Sequence, residues 1–99
     1  MSNNNPDNNI EQAKPFYFKL TTPMGKLEEC AITVATLPGT SGELSVMHGH
    51  VGLVTLLKAG DVKFTKISGE ERLYNISGGI AHAEGDKLTL LVDNATCRA

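Results

Sequence analysis

The sequence predicts an all-β protein, a β-sandwich or flattened barrel in a single domain. Three observations carry that prediction. No stretch of about ten residues repeats its apolar positions at helical spacing. Short runs that alternate apolar with polar residues recur instead. The runs are separated by turn clusters built on glycine, of which the chain has ten. Short strands so punctuated are what sandwiches and barrels are made of.

The length fits one domain: 99 residues with 40% hydrophobic content. Such a chain buries roughly 60–70% of its unfolded surface, enough for one thin core. Tryptophan is absent and aromatics make up 5% of the chain, so the core must rest on Leu, Val, Ile and Ala. Residues 1–15, MSNNNPDNNIEQAKP, read as a disordered Asn-rich tail. One large aliphatic, Ile10, cannot offset the ordering entropy of such a segment.

The elements follow in order. Residues 16–21 are aromatic and β-branched, as a strand requires. Residues 22–25, Thr-Pro-Met-Gly, make a turn. Residues 26–36 form a long extended segment with Cys30, Ile32 and Val34 on one face and Ala31, Thr33 and Ala35 on the other. Residues 38–42 turn the chain, and 43–47 form a short strand. A compact corner at 48–52 precedes the apolar strand 53–57. Val62 and Phe64 alternate with Lys63 and Thr65, and a hairpin at Ser68, Gly69 and Glu70 follows. Tyr74 and Ile76 then share a face. Gly78-Gly79 interrupts that run as a bulge or sharp bend does. Residues 80–83 continue as a strand, and 84–86 turn tightly. Leu88, Leu90 and Val92 share one face of the closing strand, while Leu91 on the other face indicates burial on both sides. Residues 94–99, small and polar, read as the start of a helix with no room to continue.

Composition excludes several functions. The net charge is −2 and the pI about 5.8, and no Lys/Arg cluster stands ready to neutralise phosphates, which argues against nucleic acid. Cys30 and Cys97 are far apart and lack zinc-site spacing, so they read as reduced thiols, as in a cytosolic compartment. The N-terminus has no apolar signal core, and no run approaches the ~18 apolar residues that span a bilayer. The chain therefore reads as soluble, and free to be a peripheral part of a membrane complex.

The stretch 37–58 holds four of the ten glycines and two of the three histidines. His48 and His50, one residue apart, would share a face of a strand, and His82 offers a third metal ligand. That set loosely resembles the metal motif of a cupin-like β-barrel. The carboxylate expected after the second histidine is missing; Val54 and Thr55 stand there. Gly49 between the rings also favours a turn, where the shared face is lost. No serine sits in a nucleophile elbow, and Cys30 falls within an alternating strand. Glu28-Glu29 and Glu70-Glu71 are neighbours whose side chains point to opposite faces of a strand, unsuited to paired acid–base work. Gly39 and Gly42 have no Gly-Lys-Ser/Thr after them, so no phosphate loop is present. The sequence offers no active site, metal or cofactor requirement.

One resemblance covers the chain from Phe16 to Ala99. The run Leu37-Pro38-Gly39-Thr40-Ser41-Gly42-Glu43-Leu44-Ser45-Val46, then Gly49-His50 and Leu53, resembles the epsilon subunit of F-type ATP synthases (delta in mitochondria). Tyr74-Asn75-Ile76-Ser77-Gly78-Gly79-Ile80 resembles its paired-glycine strand, and LTLLVDNA at 88–95 the end of its β-domain. The resemblance implies a ten-stranded β-sandwich over residues 16–99 that acts without catalysis. It implies a gamma subunit bound at His50, Val51, Gly52 and Leu53. It implies contact with the c-ring through Thr40, Ser41, Gly42 and Glu43, and hence coupling of ion flow to ATP synthesis. The place implied is the cytoplasmic face of the cell inner membrane, or its organellar equivalent, without membrane insertion. Two departures stand out. The corner lacks the family's frequent proline, so His48 is not carried over as a contact. The sequence also stops where most bacterial members continue into a helical hairpin, so that hairpin's inhibitory and ATP-binding roles are not carried over.

Overall fold

The computed structural model describes residues 14–49 and 52–98. Among them it holds nine strands and no helix. They are β1 (Phe16–Thr22), β2 (Gly25–Gly39), β3 (Gly42–Met47), β4 (Leu53–Leu57), β5 (Gly60–Lys66), β6 (Glu71–Ile76), β7 (Gly79–Glu84), β8 (Lys87–Val92) and β9 (Ala95–Cys97). The all-β expectation holds. The disordered-tail reading falls outside the described residues, apart from Lys14 and Pro15.

The strands form one continuous sheet in the order β9-β6-β5-β2-β1-β8-β7-β4, with β3 beside β2. The pairings are antiparallel except that β1 runs parallel to β8. The sheet folds over at β2, whose 15 residues serve both halves. Its first half pairs with β1, from Gly25 opposite Thr22 to Ile32 opposite Phe16. Its second half lies between β3 and β5. Gly39 at its end faces Leu57 of β4, which brings the far edge of the sheet back to β2.

The fold-over depends on a bulge. The register between β2 and β5 shifts between Ile32 and Val34, leaving Thr33 as the extra residue. One extra residue exchanges the two faces of a strand. Ile32 points inward before the bulge, and Ala35 and Leu37 point inward after it, all three fully buried. The sequence-based alternation for residues 30–35 therefore holds only as far as Ile32, and Ala35 is corrected to the core.

The core joins the two halves. Phe18, Leu20, Leu88 and Leu90 come from one, and Val62, Phe64, Tyr74 and Ile76 from the other. The Phe18 and Phe64 rings meet at 4.4 Å between centroids, and Tyr74 stacks on Phe64 at 6.1 Å. Burial confirms the alternation expected for Val62 and Phe64, for Tyr74 and Ile76, and for Leu88, Leu90 and Val92.

Three expectations are corrected. Leu91 is 51% exposed, because β8 is covered on one face only. Residues 95–97 form β9 rather than the start of a helix, since their backbone pairs with Ile76, Asn75 and Tyr74. Pro38 and Gly39 belong to β2, so the turn itself is Thr40-Ser41. The paired glycines do bend the chain, carrying it from β6 to β7. Gly79 has φ +154°, and a Cβ there would lie 2.2 Å from the Leu91 carbonyl oxygen, so no side chain fits.

Candidate functional site

Loop 40–43 stands on a backbone frame. Gly39 faces Gly42 across the two-residue turn. The Thr40 N–H donates to the Leu56 carbonyl at 3.0 Å, and the Lys58 N–H to the Pro38 carbonyl at 2.9 Å. Pro38 and Gly39 are buried, whereas Thr40, Ser41, Gly42 and Glu43 are exposed. The structure thus brings the four sequence-predicted ring-contact residues together as one exposed tip. It carries one carboxylate, Glu43.

The predicted gamma contacts are described in part. His50 and Val51 lie outside the described residues. Gly52 is exposed, and Leu53, half-buried, opens β4. Leu53 stands at the opposite end of β4 from loop 40–43, because it is Leu57 that faces Gly39.

Beside Leu53 lies a surface that sequence reasoning did not assign. Across the outer face, Leu56 of β4 is opposite Ile80 of β7, and Ile80 is opposite Leu91 of β8. Directly opposed side chains of this kind touch across about 5 Å. Val54, two residues before Leu56, adds to the row. These four are 67% (Val54), 59% (Leu56), 41% (Ile80) and 51% (Leu91) exposed. Next to them on the same face the row turns polar, with His82 opposite Val54 and Thr89 opposite His82. The signal was present in the sequence: Leu91 and Ile80 occupy outward positions where a solvated strand would carry polar residues.

A second cluster also went unread. Glu28 points into the fold with its side chain 10% exposed. The Tyr74 hydroxyl donates to Glu28 Oε2 at 2.9 Å, and Arg72 Nη2 donates to the same oxygen at 3.2 Å. Arg72 also donates to Glu70 at 3.0 Å, and Lys66 stands 3.9 Å from both carboxylates. Burial, then the Glu28 hydrogen bond, push Tyr74 up to about 12. Burial also raises the neighbouring Cys30 thiol. Glu29, pointing the other way, meets Lys26 and the Tyr17 hydroxyl on the outer face. Lys26 first and Tyr17 second hold its carboxyl below the ordinary range. The two neighbouring glutamates are splayed as expected.

The histidines have separate partners. His48 Nε2 lies 3.1 Å from Asp86, and His82 Nε2 lies 3.7 Å from Glu84. Among the described residues no three His, Cys, Asp or Glu side chains group closely enough to hold a metal ion. The cupin-like alternative therefore gains no support from His48 and His82; its remaining ligand, His50, lies outside the described residues.

Comparison with known proteins agrees with this geometry. The family model for the ATP synthase delta/epsilon chain, beta-sandwich domain, matches residues 15–98. The ATP synthase epsilon chain of Campylobacter jejuni is 35% identical over 78 residues, covering 79% of this chain and 60% of that protein. That of Desulforapulum autotrophicum is 33% identical over 89 residues, covering 88% and 64%. The chain thus spans about 60% of the length of these curated relatives. A chain in the cryo-EM structure of the Euglena gracilis mitochondrial ATP synthase, OSCP/F1/c-ring, superposes with a TM-score of 0.79 at 26% identity, over 93% of this chain and 57% of that one. A chain in the Tetrahymena thermophila mitochondrial central stalk/c-ring shares the fold, with a TM-score of 0.66 at 13% identity, over 81% of this chain and 64% of that one.

Proposed function

The chain belongs to the delta/epsilon chain family of ATP synthase, and from that premise we propose that it is a non-catalytic central-stalk subunit that binds the gamma subunit and the c-ring and couples ion flow to ATP synthesis. The observation that carries the proposal is the placement of two unlike surfaces on one small sheet. The exposed tip of Thr40, Ser41, Gly42 and Glu43 offers a carboxylate and hydroxyl groups, suited to polar loops of a ring. The aliphatic row of Val54, Leu56, Ile80 and Leu91 lies on the outer face of the strand that Leu53 opens, while Leu53 itself packs against the core, and the row is suited to an apolar partner face. The charge at the tip sets orientation and encounter rate, and the apolar row supplies affinity. The subunit sits at the cytoplasmic or equivalent organellar face of the membrane, held through the ring. Among the described residues no helix is long and apolar enough to cross a membrane.

Co-elution tests the proposal. Mixed at micromolar concentration with its cognate gamma subunit, the chain is expected to elute as a stoichiometric complex burying at least ~1,000 Å². Glu43→Lys is expected to leave that complex intact and change stability by less than ~0.5 kcal/mol. In reconstituted complexes the same substitution should weaken ring docking and coupled proton pumping. Separate elution of chain and gamma subunit would sink the reading.

A further inference from the structure

Loop 40–43 carries the proposed ring contact and is held by backbone bonds at its base. Its position is set from below. Gly39 faces Gly42 on one side and Leu57 on the other, so three strands meet at one buried residue. A Cβ at Gly39 would lie 2.7 Å from the Gly42 oxygen and 2.8 Å from a Leu44 methyl carbon. The residue before it, Pro38, accepts from the Lys58 N–H, and the residue after it, Thr40, donates to the Leu56 carbonyl. Pro38 itself rests on Gly60: a Cβ on Gly60 would lie 2.9 Å from Pro38 Cβ and 3.4 Å from its Cγ. Gly60 has no left-handed backbone that would call for glycine. It is held in place by pairing with Ile76, and Asn75 Nδ2 lies 3.4 Å from its carbonyl. The pyrrolidine ring is rigid, so the missing methyl at Gly60 is what lets Pro38 sit at this depth.

We infer that the backbone bonds on either side of Gly39 are a clamp that sets the position of loop 40–43 and that the bare face of Gly60 gives Pro38 the room to make them, so Gly60 is a positioning residue for ring docking although it lies outside the docking surface. The clamp lies at one end of β4 and the proposed gamma contact at the other. It fastens the loop to Leu56 and Lys58, and the five residues of β4 lead from there to Leu53. That strand spans about 13 Å of extended backbone. Leu53 therefore stands a strand's length from the clamp, which is why binding to the gamma subunit serves as the control. The inference rests on the ring-contact reading of the loop.

Gly60→Ala adds one methyl group against Pro38, and the double variant Pro38→Gly/Gly60→Ala removes the atoms it strikes. Two readouts separate the clamp from the reading beneath it. The first is amide exchange at Lys58, which sees the bond to the Pro38 carbonyl without any partner. It should quicken at least tenfold in Gly60→Ala and return towards the wild-type rate in the double variant. The second is affinity for a detergent-solubilised c-ring carrying its gamma subunit, with the gamma subunit alone as control. Ring affinity should fall at least tenfold in Gly60→Ala and recover in the double variant, with binding to gamma alone unchanged. Unchanged Lys58 exchange, or loss without recovery in the double variant, overturns the clamp. If the wild-type chain itself ignores the ring, the ring-contact reading falls and the control of docking falls with it, while the exchange rates still decide whether Pro38 and Gly60 fix the loop.

Discussion

At the fold-over of the sheet, Glu28 sits almost out of solvent and collects a tyrosine hydroxyl and a guanidinium, with Lys66 nearby. On the outer face of the same sheet, Val54, Leu56, Ile80 and Leu91 are exposed side by side. Charge lies inside at the first place and apolar surface lies outside at the second. The two differ in what completes them. The corner is answered largely from within: its charges come from β2, β5, β6 and the turn between the latter two, and among the described residues only Arg72 Nε is buried without a hydrogen-bond partner. The row is made of side chains that leave much of their apolar surface in water. A closed polar cluster fixes how the sheet folds over, because a half-broken one is costly. An open apolar row contributes little to the isolated fold and much to an interface. On the proposed reading stability and binding reside in separable residues, and substitutions at the two places should give opposite signatures.

The largest effect on stability is expected at the corner. Glu28→Ala leaves the Tyr74 hydroxyl and the Arg72 guanidinium without their shared acceptor. The cost is about 2 kcal/mol, the price of stranding partly buried donors. For a domain of this size that lowers the melting midpoint by roughly 10 °C, while binding to the gamma subunit at low temperature stays unchanged. Thermal unfolding followed by circular dichroism measures the first, and co-elution the second.

The same corner should weaken at high pH. Tyr74 is raised from its ordinary 10.0 to about 12 in the fold. The unfolded chain therefore loses this proton first, and between those values the folded state holds more protons than the unfolded one. The sign follows: this contribution is fully present below pH 10 and is lost as pH rises towards 12. Denaturant midpoints measured across that window should fall, and in Tyr74→Phe the fall should be shallower.

How far these places could be read from sequence depended on whether the information was local. Alternation located Phe64, Tyr74, Ile76, Leu88 and Leu90 correctly, because each lies in a strand of constant register. It failed at Ala35 because the Thr33 bulge exchanges the faces, and nothing in the residues around Thr33 announces an insertion that the opposite strand defines. It failed at 95–97 because a short polar segment takes its structure from its partner, the backbone of β6. The Glu28 corner joins residues 44 and 46 positions apart, beyond the reach of any local pattern. Loop 40–43 was legible as a turn, and the resemblance adds the proposal that it is a contact. Its frame was not, since Gly60 and Leu56 come to it only through the closure of the sheet.

The smallest effect on stability is expected at the row, where the comparison is most sharply tested. Leu56→Ser and Leu91→Ser remove aliphatic groups that water already reaches, so each should shift the unfolding free energy by less than ~0.5 kcal/mol. If the row docks the gamma subunit, each loses apolar area that binding would have buried, on the order of 1.4 kcal/mol, or about tenfold in affinity per residue. The two residues flank Ile80 and share it as a neighbour, so the double variant should fall short of the product of the single losses. The loss should persist in high salt, because apolar burial is not screened. Titration calorimetry of the single and double variants against the gamma subunit, at two ionic strengths, measures all of these. Unchanged affinity in the double variant would remove the row from the interface and leave the gamma contact to the corner at Gly52 and Leu53.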